Sequence, residues 1–166
     1  MRDTVDEVLQ RLDALGIPYR VAEQPPADTM EACAEVDRRM HTLTPKNIFL
    51  TTKNGKRFCL CLTRPDARFR TADISKQAGF SRLSFAPEEK LYENLRCHGG
   101  SASPLGLMFA NDVTLLVDSA LRDQPALGFH PCDNTRTVAV AGSDFFDVFL
   151  PAVGVKPVFV EVHDFL

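Results

Sequence analysis

The chain contains no apolar run long enough to span a membrane, and residues 1–7 hold no hydrophobic segment of the kind that opens a secretory signal. The expectation is a cytoplasmic protein with no membrane partner. None of its five cysteines (Cys33, Cys59, Cys61, Cys97, Cys132) forms a Cys-x-x-Cys pair, and their number is odd. Reduced thiols are therefore expected rather than a disulfide framework. The glycine-rich dinucleotide fingerprint, the P-loop, His-Glu-x-x-His and Gly-x-Ser-x-Gly are all absent, which removes the standard nucleotide-binding, zincin and serine-hydrolase readings. No internal repeat, low-complexity stretch or linker interrupts the chain.

What remains is 166 residues, 45% hydrophobic and 25% charged, enough for one domain over residues 1–166 with its own core. The net charge of −3 is unevenly spread. Residues 38–96 carry thirteen Lys/Arg against five acids, a net of +8, so the remainder carries −11. A basic middle in an acidic chain suits contact with a polyanion, although the same charges can simply be solvated.

Thr4 to Glu7 read as a capping box for a first helix that Gly16 ends. Ile17, Tyr19 and Val21 alternate as a strand. Asp28 and Thr29 cap a second helix that runs from Met30 to Met40. Lys46 to Thr51 and Arg57 to Thr63 are strands joined by the Asn54-Gly55 hairpin signal, with Phe58, Leu60 and Leu62 on one face. Short helices are expected at residues 73–78 and, after Pro87, at residues 88–95. Between them lies a brief strand, Leu83–Phe85. Val113–Asp118 reads as a central strand. Further strands follow at residues 127–130, 135–141 and 158–162, and Ser143 caps a helix over residues 144–153. This order predicts one α/β or mixed α+β domain, with a mixed, largely antiparallel sheet surrounded by helices.

The chemistry centres on Gly99-Gly100-Ser101-Ala102-Ser103-Pro104. Glycine permits backbone conformations other residues avoid, and successive free N–H groups in such a loop can bind an anion or oxyanion. A nucleophile would come from Ser101, Ser103, Cys97 or Cys132, with His98 or His130 as base. The residues also allow a site with no protein nucleophile, in which water attacks a carbonyl held by backbone donors. Cys97-His98 and His130-Pro131-Cys132 match no standard zinc spacing, and no metal or other cofactor is expected.

In order and spacing, Lys46-Asn47-Ile48-Phe49-Leu50, the 53–58 hairpin, Arg82-Leu83-Ser84-Phe85, Gly100 to Leu107 and Phe129 to Thr135 resemble the YbaK/prolyl-tRNA-synthetase-associated editing domains, in their free-standing branch. The resemblance covers nearly the whole chain. It implies a YbaK-like fold and an enzyme, a trans-editing deacylase of mischarged tRNA, most typically alanine on the proline tRNA. The partner is the tRNA acceptor end, with transient contact to prolyl-tRNA synthetase. The alternatives are removal of cysteine or serine, or a non-catalytic module that binds aminoacyl-tRNA or a synthetase. The resemblance gives catalytic roles to Lys46, Gly100, Ser101 and His130. It gives substrate contacts to Asn47, Arg82, Ala102, Ser103, Pro104 and Asn134, with Met30 and Phe49 as candidate pocket walls. A Gly-His-x-Pro common in the family is here Gly154-Val155-Lys156-Pro157, without the histidine, and Cys97-His98 before the loop is also a departure.

Overall fold

A computed structural model describes residues 2–26, 29–68 and 70–162. In chain order the elements are α1 (Arg2–Ala14), β1 (Tyr19–Glu23), α2 (Met30–Met40), β2 (Lys46–Thr52), β3 (Phe58–Thr63), α3 (Thr71–Ala78), β4 (Leu83–Phe85), α4 (Glu88–Leu95), β5 (Val113–Asp118), β6 (Ala126–Phe129), β7 (Arg136–Ala141) and β8 (Val158–Val160). A 3-10 helix at Pro104–Phe109 precedes β5, and residues 142–152 form a helical run before β8. The fold is a single mixed α+β domain.

The strands divide between two sheets where one was expected. The larger has the order β4-β2-β3-β5-β8; β4, β2 and β3 are antiparallel neighbours, whereas β3-β5 and β5-β8 pair parallel. The smaller, β1-β7-β6, is antiparallel throughout. A parallel bridge from Leu43 to Leu127 links the chain just before β2 to β6. Strand β5 occupies the central place expected for it, with parallel partners on both sides, and Leu115, Leu116 and Val117 are fully buried.

The hairpin separates two cores. Phe49, Leu60 and Leu62 face the larger one, beside Leu95, Leu105 and Phe129. Ile48, Leu50, Cys59 and Cys61 face the smaller, with Ile74 and Leu116. Side chains alternate across a strand, so two neighbours in sequence serve different cores. Burial pushes the Cys59 thiol up to about 11 and the Cys61 thiol up to about 12. At the C-terminal ends of these strands the Arg64 side chain bridges Asp118 at 3.0 Å and the Val162 carbonyl at 2.9 Å, tying β3, β5 and the segment after β8 together.

Helix limits follow local chemistry, with differences at α1 and at the C-terminal run. Helix α1 begins at Arg2, so Thr4 and Glu7 lie inside it rather than boxing its end. Thr29 caps α2 by accepting the Ala32 N–H at 3.1 Å, while Asp28 lies outside the described residues. The C-terminal run starts at Gly142, so Ser143 is not its cap; its middle, Phe145–Phe149, is π-helical. That wide turn sets Phe145 against Phe129, with ring centroids 4.7 Å apart.

The 3-10 helix packs closely on the end of α4. A Cβ at Gly106 would stand 2.4 Å from the Leu95 carbonyl oxygen and 3.2 Å from the Cys97 sulfur. Glycine is required there by close approach. Gly106→Ala is expected to cost roughly 1–3 kcal/mol as an overpacked core position, read as a Tm lowered by several degrees; an unchanged Tm would show that the contact relaxes freely.

Candidate active site

The glycine loop is anchored at both ends. On the α4 side, Glu88 Oε1 accepts the Gly99 N–H at 2.8 Å. Ser101 Oγ accepts the His98 N–H and donates to the His98 carbonyl, and the Ser101 N–H also donates to that carbonyl, closing a tight turn. On the other side Ser103 Oγ caps the 3-10 helix by accepting the Leu105 N–H at 3.1 Å, with Pro104 at its first turn. The Ser103 N–H is directed at the Cys97 sulfur. This leaves the amides of Gly100 and Ala102, which donate to no group among the described residues. Gly100 has φ +82°, a left-handed conformation that favours glycine. The expected row of donors is thus narrowed to two alternating N–H groups.

Facing the loop is the turn after β6. His130 is buried, and its Nδ1 lies 2.8 Å from the Arg136 carbonyl. A carbonyl only accepts, so Nδ1 carries the proton in that bond, and Nε2 is the ring's other nitrogen. The Cys33 thiol of α2 approaches that nitrogen at 3.9 Å. Cys132 then adopts φ +63°, an uncommon left-handed conformation for a residue with a Cβ. Asp133 Oδ1 accepts both the N–H and the hydroxyl of Thr135, at 2.8 and 2.7 Å. Burial pulls the Asp133 carboxyl up, but the Thr135 bonds outweigh it, helped by Arg136 and His130, and hold it below the usual range. Gln24 braces the turn by donating its Nε2 to the Asn134 carbonyl at 2.9 Å and its backbone N–H to that of Thr135.

Loop and turn enclose a cleft of about 160 Å³ lined by His98, Gly99, Ser101, Cys132, Asp133 and Asn134. At its floor the Cys97 and Cys132 sulfurs lie 3.1 Å apart. At its rim the Tyr92 and His98 rings stack at 4.8 Å. Among the described residues no three His, Cys, Asp or Glu side chains converge as metal ligands, and the two Cys-His segments meet through their sulfurs.

The remaining expected residues are placed as follows. Ser101 and Asn134 line the cleft, and Gly100, Ala102, Ser103 and Pro104 belong to its loop. Lys46 and Asn47, expected to act side by side, are on opposite faces of β2. The Lys46 amine donates to the Ala67 carbonyl at 2.8 Å, on the side of Ile48 and Leu50. Asn47 shares the parity of Phe49; its amide donates to the Pro45 carbonyl, and its buried Oδ1 has no partner among the described residues. Phe49 is buried against Phe58 at 5.4 Å. Arg82 is exposed just before the edge strand β4. Met30 opens α2, and its side chain lies outside the described residues.

Cys33 and Asp37, one helical turn apart on α2, were missed by the sequence reading. Asp37 is anchored by the Thr44 N–H and hydroxyl at 2.8 and 2.6 Å. Burial pushes its carboxyl up, against the Thr44 bonds and His130. The spacing of Cys33 and Asp37 on one helix face was the available signal.

This chain belongs to the aminoacyl-tRNA editing domain family. The family model matches residues 24–148. The chain is 32% identical over 160 residues to the mouse (Mus musculus) prolyl-tRNA synthetase associated domain-containing protein 1, covering 93% of this chain and 94% of the relative. It is 30% identical over 146 residues to the prolyl-tRNA editing protein ProX of Acetoanaerobium sticklandii, covering 86% and 88%. A solved structure of a candidate trans-editing enzyme for prolyl-tRNA synthetase superposes with TM-score 0.75 at 16% identity, covering 98% of each chain, and shares the fold.

A cysteine nucleophile is poorly served here. Burial, then the Asp37 charge, raises the Cys33 thiol, and the bond that Cys97 donates to Cys132, together with burial, raises Cys97. All five cysteines are buried. Ellman's reagent at pH 7.5 is expected to find almost no reactive thiol in the native protein and five after denaturation. Rapid stoichiometric modification of one native thiol would reopen a thiolate mechanism.

Proposed function

We propose that this protein is a trans-editing deacylase that hydrolyses the ester of mischarged tRNA, with alanine on the proline tRNA as its substrate. The observation that carries the reading is the small cleft between the glycine loop and the 132–134 turn, with the unengaged amides of Gly100 and Ala102 in the same loop. In this reading the two amides hold the ester carbonyl oxygen. Water attacks the carbonyl carbon, and negative charge collects on the held oxygen. The ribose oxygen then leaves with a proton, freeing the amino acid and the tRNA. The neighbouring hydroxyl of the terminal ribose positions the water, so no protein nucleophile is required.

The cleft, of about 160 Å³, has room for a small acyl group such as alanyl. A synthetase pocket shaped for proline rejects the smaller alanine weakly, since each missing methylene is worth about 1–3 kcal/mol, so a second, smaller pocket supplies the remaining discrimination. Phosphate contacts from the basic segment 38–96 would bring the acceptor end to the cleft, together with transient contact to prolyl-tRNA synthetase.

The test is single-turnover deacylation of alanyl- and prolyl-tRNA(Pro). Rapid loss of alanine with proline retained is expected. Loss of neither, with cysteinyl and seryl esters also stable, would leave a binding module. Ala102→Pro removes one of the two donors, and a fall of roughly 10²–10³ in rate is expected with little change in substrate binding. An unchanged rate in the folded variant would remove Ala102 from the mechanism. Binding of the tRNA is expected to weaken steeply with added salt, and a flat dependence would deny the basic segment its role.

A further inference from the structure

We propose that Asp133 holds the α-ammonium group of the aminoacyl ester, so that the cleft selects charged amino acids over acyl groups of the same shape without that charge. This rests on the editing reading above and assigns one of its specificity contacts.

Among the described residues no lysine or arginine lines the cleft, and Asp133 contributes the one carboxylate. Thr135 occupies Oδ1 with two hydrogen bonds, which fix the rotamer of the carboxyl group. Oδ2 accepts no hydrogen bond among the described residues, so the built carboxylate keeps an acceptor unused. The Thr135 bonds keep the group ionised, and Arg136 and His130 contribute to the same effect from the protein side. The α-ammonium is the one cation that an aminoacyl ester carries at its tip. It sits one bond from the carbon that bears the carbonyl. Asp133 lines the cleft with Gly99 and Ser101 of the glycine loop, so the carboxylate and the loop that carries the Gly100 and Ala102 amides border the same space. The turn that carries Asp133 is braced by Gln24, so the carboxylate is held on a rigid frame.

The test compares an acceptor-stem RNA hairpin carrying a non-hydrolysable alanylamide at its 3′ end with the same hairpin carrying lactylamide, in which a hydroxyl replaces the ammonium. Wild-type protein is expected to bind the alanyl form about ten- to a hundredfold more tightly, the value of one charge-assisted hydrogen bond. Asp133→Asn keeps an oxygen for Thr135 and removes the charge, so its Tm should stay near wild type while the preference collapses toward one. Asp133→Glu, with the charge restored, should recover part of it. A wild-type preference that survives in Asp133→Asn overturns the proposal, as does equal weakening of both ligands, which marks Asp133 as purely structural. Absence of any preference in the wild type overturns it too. Because the probes are not hydrolysed, a failed deacylation assay refutes the editing reading separately from this one.

Discussion

The carbonyl oxygen of Leu95 is the point on which the cleft depends. It lies at the C-terminal end of α4, where helical carbonyls have no partner within the helix. Two thiols come to it instead, Cys97 at 3.4 Å from just after the helix and Cys132 at 3.6 Å from the turn after β6. Gly106 closes the third side, so near that no side chain fits between. The helix end, the glycine loop and the histidine strand are thereby held at one place. Sulfur suits this node, since it fills apolar space and still donates weakly to an oxygen. The same packing leaves Cys132 in a left-handed conformation, a local cost met by the surrounding contacts.

From that node follows the electrostatic character of the site. The thiols at this node are buried, and ionisation of Cys97 is disfavoured, so the described residues place no thiolate beside the cleft. The hydroxyls are committed as well: Ser101 closes its own turn, and Ser103 caps the 3-10 helix. The groups left over are neutral amide donors and a carboxylate acceptor. Such a set can orient a polar ester and stabilise charge that develops on it, but it must take the attacking atom from solvent.

The parts of this arrangement that are local were legible in the sequence. The hairpin at Asn54-Gly55, the extent of α4 after Pro87 and the central β5 follow from turn chemistry, capping and apolar runs, and the glycine loop was found because its residues fit no regular element. The parts that depend on distant partners were not. That β1, β6 and β7 form their own sheet is set by β7 pairing with a strand more than a hundred residues away, which no window of sequence encodes. The contact between Cys97 and Cys132 is of the same kind. The separation of Lys46 from Asn47 was available, since adjacent strand residues take opposite faces, yet the motif invited reading them together. Asp133 was passed over because an Asp two residues before a Thr reads as turn punctuation.

On the editing reading, the two signs of charge in this chain answer to one ligand. The acceptor end of an aminoacyl-tRNA is a polyanion along its backbone and a cation at its tip. A protein that met it with basic residues alone would attract every nucleic acid equally and repel the aminoacyl group at the last step. The excess of Lys/Arg across residues 38–96 serves the backbone, where contacts are interchangeable and screened by salt. Among the described residues the cleft is lined by no Lys or Arg and by one carboxylate, so one group decides the outcome there. Attraction to the ligand and discrimination of its tip are then separate properties, carried by different residues and free to vary independently.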